Sequence, residues 1–480
     1  MESGGLEPDT ATQSLNEGEI TGLPYVPLET ARLRYFGGTT NHWGGWCRPL
    51  DEIDFTARPW VPHSGWPLSR ADLDPFYRRA QSLCQLGPFA YDAGAWEDQD
   101  TSPRLPFSGD RVMTKIWQIG PPTRFGASYR DVIARSDNVR AYLHASVVNI
   151  DTTPTAERVT RVRVGCLHGK RFSVSATLFI VAAGGIENPR LLLVSNTVQR
   201  DGLGNRHDLV GRFFMEHPQL WSGALLLSRP SFSMGLYATH AVRGTTVVGC
   251  VSLAEKVQRR EQLLNACAFL EPDSSGETPA PIGGVSQRSP SPSLRQADPP
   301  GDFETHLGQV IADLNHVTLR SGRAVRRSPP VKTFRLFARP EPAPNPNSRV
   351  TITVVRDSLG MNRVRLHWEL SPIDERSMRR SQEILGREVG RAGLGRVRSA
   401  LEDEKGLWTK PEGAYHHIGT TRMHEDPKQG VVDAKGRVHG ISNLYIAGSS
   451  VFPTAGYANP TLTIVALAVR LADHVKRLLR

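Results

Sequence analysis

Thr177-Leu178-Phe179-Ile180-Val181-Ala182-Ala183-Gly184-Gly185-Ile186-Glu187-Asn188-Pro189-Arg190-Leu191-Leu192-Leu193 is the stretch on which the fold turns. Residues 177–183 are apolar almost throughout, the pattern of a strand covered on both faces. Two glycines then supply a turn, and IENPRLLLVSN reads as a helix, with Pro189 acceptable in a first turn where no intrahelical N–H bond is lost. The same order returns near the other end of the chain. Residues 443–447 (NLYIA) read as a short buried strand, Gly448-Ser449-Ser450 as a turn, and Asn459-Pro460 opens a helix, TLTIVALAVRLADHVKRLLR, whose basic end suits the helix dipole. Strand, glycine turn and helix, found twice, predict an α/β fold.

Upstream of this unit, NVRAYLHASVVNIDTT, which contains Val147, and RVTRVRVGCLHGKRFSV are β-branched runs separated by turn residues, so they predict strands. Ser69 with Asp72 forms a helix-start signal ahead of FYRRAQSLCQL. Downstream, LWSGALLLS, GTTVVGCVSL, VTITVV and RVRLHWEL predict a separate, largely antiparallel sheet between about 219 and 370, and a helix from about 373 to 392 leads back. Residues 273–303 are dense in Ser, Pro and Gly and read as a mobile surface insertion without a catalytic part. There is no internal repeat. The expected division is 1–218, 219–404 and 405–480, the first and last parts forming one domain.

The 480 residues are 39% hydrophobic and 22% charged, too apolar for general disorder. The longest apolar runs, 178–183 and 462–469, fall well short of the roughly 20 residues that cross a bilayer, so no membrane span is expected. The polar, acidic start MESGGLEPDTATQSLNEGEI has no signal-peptide pattern, which makes the cytoplasm the default expectation. Five scattered cysteines without a CxxC pair argue against a disulfide framework or a zinc site. The net charge of +10 is spread along the chain in twos and threes, without aromatic-basic interleaving, and reads as a solvated surface rather than a nucleic-acid footprint.

Three segments carry chemistry. In Phe36-Gly37-Gly38-Thr39-Thr40-Asn41-His42-Trp43-Gly44-Gly45-Trp46 the glycines let backbone approach a planar ligand while His42 and the tryptophans offer a polar tip and ring faces. The bland reading is a glycine-rich loop with a packed histidine. The other two are Tyr415-His416-His417-Ile418-Gly419-Thr420-Thr421-Arg422-Met423 and Gly456-Tyr457-Ala458-Asn459-Pro460-Thr461-Leu462-Thr463. Adjacent histidines seldom present both rings to one metal ion and no carboxylate or cysteine stands at ligand spacing, so no metal site is expected. Asn459 alone reads as a helix cap.

Together, GGTTNHWGG, FIVAAGGIENPRLLL, VGRFFMEHP, PNPNSRVTI and the tail from HHIGTTRM through IAGSSVFPTAGYANPTLTIVALAVRLADH resemble, in order, the glucose-methanol-choline (GMC) oxidoreductases, flavoproteins that oxidise alcohols. The likeness spans nearly the whole chain outside 273–303. It implies a Rossmann-like FAD-binding domain with an inserted, mainly antiparallel α+β substrate domain, and oxidation of a CH–OH group of an alcohol, sugar or polyol. It implies His416, in H-x-x-G context, as catalytic base, and Asn459, 43 residues later, as its partner at the substrate hydroxyl. It further implies FAD contacts from Glu2, Gly37, Gly38, Thr39, Asn41, His42, Trp43, Gly44, Val147, Gly184, Gly448, Ser449, Pro460 and Thr461. In some members the histidine of the glycine-rich loop is bonded to the flavin methyl group, so His42 is expected to hold FAD covalently or by contact. His417 is expected to lie behind the site, and Glu216-His217 to be structural.

Two features depart from the family. No GxGxxG occurs before residue 37; Met1–Gly5 reads as the end of a second strand with Glu2 at the ribose position, which places the first β-α-β unit ahead of Met1. Gly448-Ser449 stands where many members have Asp-Ala. A non-catalytic family remnant that does not bind FAD therefore stays open as an alternative, as does a basic surface-binding module. The substrate and the electron acceptor are not written in the sequence.

Overall fold

The structure is a computed structural model that describes residues 1–121, 123–229, 232–273, 332–401 and 411–480; the predicted insertion 273–303 lies, beyond Asp273, outside the described residues. Its strands, in chain order, begin with β1 (Gly18–Gly22), β2 (Trp46–Cys47), β3 (Val112–Ile119), β4 (Ser146–Thr152), β5 (Val159–Gly165) and β6 (Arg171–Val174). There follow β7 (Phe179–Val181), β8 (Pro218–Leu227), β9 (His240–Val242), β10 (Thr245–Leu253), β11 (Ala266–Pro272) and β12 (Thr333–Pro340). The last are β13 (Arg349–Arg356), β14 (Asn362–Trp368), β15 (Gly395–Ser399), β16 (Glu412–Gly413) and β17 (Leu444–Ile446).

The α/β character rests on β7 and β17, which pair in parallel with Phe179 opposite Leu444 and Val181 opposite Ile446. The helix Gly184–Val194 follows the first strand, and the last helix, Thr461–Leu478, follows the second after a longer connection. Beside them β4, β5 and β6 form an antiparallel meander. The run 177–183 yields only a three-residue strand. Phe179 and Val181 are buried, but Ile180 between them is 47% exposed, so one face packs and the other does not. Hydrophobicity on both faces marked the strand correctly but overstated its cover.

The second layer is a nine-stranded sheet with the order β15-β8-β12-β11-β10-β3-β2, β16 adding to β8 and β9 to β10. Along β10 successive side chains face opposite ways. Val247, Val251 and Leu253 join a core with Leu225, Leu336, Ile384, Leu385 and Val389, while Val248 and Cys250 join Trp117, Cys267, Phe269 and Tyr457 on the other face. The first face is closed by the helix Pro372–Arg391, which starts on a Ser371/Asp374 capping box, the second by the segment carrying Tyr457.

The expectation of one sheet from 219 to 370 needs correction. VTITVV and RVRLHWEL form β13 and β14, and these pair not with β8 to β12 but with each other and, in parallel, with β1, in the register Gly18 to Val364 and Gly22 to Trp368. Conversely, β2 and β3 join the large sheet from before residue 219. Alternating hydrophobicity announces a half-buried strand without naming its neighbour, and both misplacements follow from that.

The last helix buries Leu462, Ala466, Leu467 and Leu471, an apolar stripe at helical spacing. Against it lies the helix Arg70–Leu83, begun by the Ser69/Asp72 capping box; Tyr77 Oη stands 2.8 Å from Thr463 Oγ1. Among the described residues no helix is long and apolar enough to cross a membrane. The α/β scaffold with its added antiparallel sheet is the predicted fold class.

Candidate active site

His416 sits in the segment between β16 and β17, and its backbone is pinned from below. The Glu216 carboxylate accepts the N–H groups of Ala414 and His416, each at 3.0 Å, and the hydroxyl of Tyr25. Met215 and Ile418 exchange both backbone hydrogen bonds, at 2.9 and 3.0 Å. Gly419 closes this contact: at φ +89° a Cβ would stand 2.3 Å from the carbonyl oxygen of Phe213, so only glycine fits. Tyr415, just before His416, is held at φ +60°, a left-handed conformation unusual for an aromatic residue and tolerated where surrounding contacts enforce it.

The side chains then converge. His416 Nδ1 lies 2.9 Å from His217 Nδ1 with the two rings nearly perpendicular, and His217 Nε2 lies 2.7 Å from the Gly456 carbonyl. His416 Nε2 faces Asn459 Nδ2 at 3.5 Å. Asn459 does not cap the last helix; the cap position is Pro460, without a side-chain bond. Its Oδ1 instead accepts from Arg339 Nη1 at 2.6 Å and from Trp117 Nε1 at 3.2 Å. Two donors on the oxygen leave the amide nitrogen to face His416.

Burial governs the charges here. It pushes His217 down to about 3 and His416 well below the ordinary imidazole range, helped by neighbouring positive charge from Arg339, so both rings are neutral at pH 7. His417 is also pushed down to about 3 by burial; its Nε2 lies 2.9 Å from Tyr25 Oη, behind the site as expected. Burial lifts Glu216 to about 7 against the hydrogen bonds that favour its charged form. Burial also lowers the pKa of Arg339, and no carboxylate pairs with this guanidinium among the described residues.

The predicted FAD contacts fall into two groups. Gly184 and Gly448 stand just beyond the carboxyl ends of β7 and β17, the place where open α/β sheets receive ligands, and a Cβ at either would meet nothing within 4 Å. The two turns are tied together: Ser449 Oγ donates to the His417 carbonyl at 2.6 Å, Thr420 Oγ1 to that of Gly185 at 2.6 Å, and Asn188 Nδ2 to Ala447 O and Ser450 Oγ. Pro460 and Thr461 lie at the start of the last helix, next to Asn459.

In the second group, Gly37, Gly38, Thr39, Asn41, His42, Trp43 and Gly44 belong to a glycine-rich loop with one short 3-10 turn over Gly38–Asn41. Much of its polarity is used internally. Thr39 Oγ1 accepts from Leu33 N, Asn41 Nδ2 donates to Phe36 O, and Trp43 Nε1 donates to Thr123 O. His42 differs: it is buried, burial pushes it down to about 4, and its Nδ1 has no partner. An orphaned buried nitrogen beside open backbone is what a polar planar cofactor would satisfy. Glu2 accepts from its own Gly4 N–H, and its backbone bonds Tyr142 and Ala145; Val147 lies on β4 opposite Val164. These two residues hold the edge of the meander, apart from the histidine cluster in sequence and element.

Sequence reasoning paired His416 with Asn459 but missed His217, Arg339 and Trp117. His217 stood in view in FFMEHP and was read as structural; the structure places it against His416. Arg339, near the end of β12, and Trp117, within β3, have no motif around them, and only the folded sheet brings them to Asn459.

The family model described as GMC oxidoreductase matches residues 344–468, the part that holds His416 and Asn459. Over 501 residues the chain is 24% identical to the fructose dehydrogenase large subunit of Gluconobacter japonicus, covering 95% of this chain and 83% of that one. The fold matches that of pyridoxine 4-oxidase from Mesorbium loti with a TM-score of 0.57 at 15% identity, over 99% and 93% of the two chains. It also matches the formate oxidase of Aspergillus oryzae, a protein with FAD, with a TM-score of 0.52 at 14% identity, over 99% and 93%. The C-terminal match, the near end-to-end likeness to a dehydrogenase subunit and the common fold make this chain similar to the GMC oxidoreductases.

Proposed function

We propose that the protein is an FAD-dependent oxidoreductase that oxidises a CH–OH group of an alcohol, sugar or polyol, with His416 as base and Asn459 as hydrogen-bond donor. The observation that carries this reading is the facing pair His416 Nε2 and Asn459 Nδ2, held by buried partners on both sides. FAD, when bound, supplies the acceptor for the carbinol hydride. His416, neutral at pH 7, takes the hydroxyl proton. The Asn459 amide donates to the oxygen as negative charge grows on it, and Arg339 polarises that amide from behind. The protein's own share would thus be removal of the hydroxyl proton by His416 and stabilisation of the oxygen by Asn459.

The cradle for FAD is assigned to the open turns at Gly184, Gly448 and Ser449, the start of the last helix at Pro460 and Thr461, and the loop around His42. The division into cofactor-binding parts 1–218 and 405–480 around a substrate part 219–404 belongs to the same proposal. His42 is the residue assigned to the flavin ring, as contact or covalent anchor; acid precipitation separates the two, since only a bonded flavin stays in the pellet. Relatives named for a sugar and for the alcohol pyridoxine support the CH–OH substrate class.

Replacing His416 with alanine tests the reading. Loss of a general base lowers the rate by about 100- to 10,000-fold, so turnover of alcohols or sugars is expected to fall by that much while flavin content holds. Unchanged turnover removes His416 from the role.

A further inference from the structure

We infer that His217 is a positioning residue: by accepting the Nδ1 proton of His416, it fixes that ring in the tautomer whose Nε2 lone pair faces the substrate. This rests on the oxidoreductase reading for its consequence but not for its geometry. The Gly456 carbonyl can only accept, so at 2.7 Å His217 Nε2 must carry the proton. A neutral imidazole has one N–H, which leaves His217 Nδ1 as a lone pair. The 2.9 Å contact between the two Nδ1 atoms then needs its hydrogen from His416. With that proton on Nδ1, His416 Nε2 is bare. The opposite assignment sets two N–H groups against each other, or leaves two lone pairs in contact.

Asn459 reaches the same answer independently. Its oxygen is occupied by Arg339 and Trp117, so its amide nitrogen points donor-first at His416 Nε2, a match only if that nitrogen is an acceptor. Gly456 and Asn459 lie three residues apart, so one short segment holds both ends of the chain of contacts: carbonyl, His217, His416, amide. His217 is fully buried and His416 largely so, and these surroundings hold both rings neutral, which removes the doubly protonated state that would erase the distinction. Without the acceptor on His217, the proton of His416 is free to move to Nε2, where it blocks proton abstraction.

The experiment uses the full chain labelled with 15N-histidine, with His416 signals identified by their loss in His416→Gln. Long-range proton–nitrogen spectra of the parent protein are expected to show an unprotonated Nε2 and a protonated Nδ1 on His416. In His217→Leu the Nε2 signal is expected to move toward the protonated type. His217→Asn, whose side-chain oxygen stands near the lost Nδ1, keeps the parent pattern. In stopped-flow measurement of flavin reduction, His217→Leu is expected to be slower by about 100-fold or more, with His217→Asn within about tenfold of the parent. A protonated His416 Nε2 in the parent, or equal losses in both variants without a tautomer change, overturns the inference. The spectra need no turnover, so absence of alcohol oxidation would sink the oxidoreductase reading and leave the tautomer result standing.

Discussion

Arg339 brings a positive charge into a buried site where its guanidinium donates to the neutral amide oxygen of Asn459 and its Nε has no partner among the described residues. Other buried arginines nearby are paired: Arg58 meets Glu341 through two bonds of 2.8 and 2.6 Å, and Arg48 meets Asp51 at 2.8 Å. A buried charge without a counter-ion is expensive for the fold, and replacing it with an apolar side chain of similar length tends to be neutral or stabilising. Its value then lies in the reaction, where negative charge develops at the substrate oxygen. Arg339→Met is therefore expected to keep or raise the melting temperature while slowing flavin reduction by about 10- to 100-fold, the worth of a hydrogen bond to a charged group. A lower melting temperature with an unchanged rate would make Arg339 a structural residue. This residue also marks the limit of sequence reading. His416 and Asn459 were legible because their spacing and surrounding glycines form a pattern; Arg339, on a strand among Phe337, Ala338 and Pro340, has none.

Among the elements, the contact between 213–217 and 415–419 does the most to shape the site, and Gly419 is its tightest point. Alanine there meets both a strained φ and a backbone oxygen that cannot swing aside. Gly419→Ala is expected to destabilise by about 1–3 kcal/mol and to displace His416. Thermal melting and flavin reduction on the same variant check this, and a melt within a degree of the parent would contradict it. Strand–turn–helix order was readable at both ends because glycine turns and apolar runs are local signals. Sheet membership was not. β13 and β14 alternate as β8 and β10 do, and their partner β1, GEITG, is a short polar strand that no hydrophobic pattern announces.

For the whole molecule, buried titrating groups set how stability varies with pH. His42, His217 and His417, pushed down to between about 3 and 4, stay neutral in the native state while the unfolded chain takes up protons below 6.5. They remove stability as pH falls through that range. Asp54, Glu216 and Asp374 act oppositely. Burial lifts them to about 8, about 7 and about 7, so the native state keeps protons the unfolded chain has released, and stability falls as pH rises from about 4 toward 8. The slopes oppose each other below 6.5, and only the carboxyl slope acts above it. Melting temperature is expected to peak on the acid side of neutrality and to fall from pH 6.5 to about 8; a rise across that interval would contradict these buried environments.

The contacts that build the site also join remote parts of the chain. His217 and His416 are 199 residues apart, and Trp117 and Asn459 342. Closing loops of such length is entropically unfavourable until much of the surrounding structure is in place. Local turns and helices can therefore form early on the folding path while the histidine cluster assembles late. A C-terminal half alone carries Arg339, His416 and Asn459 but lacks His217 and Trp117, so competence for chemistry arrives as a property of the completed chain.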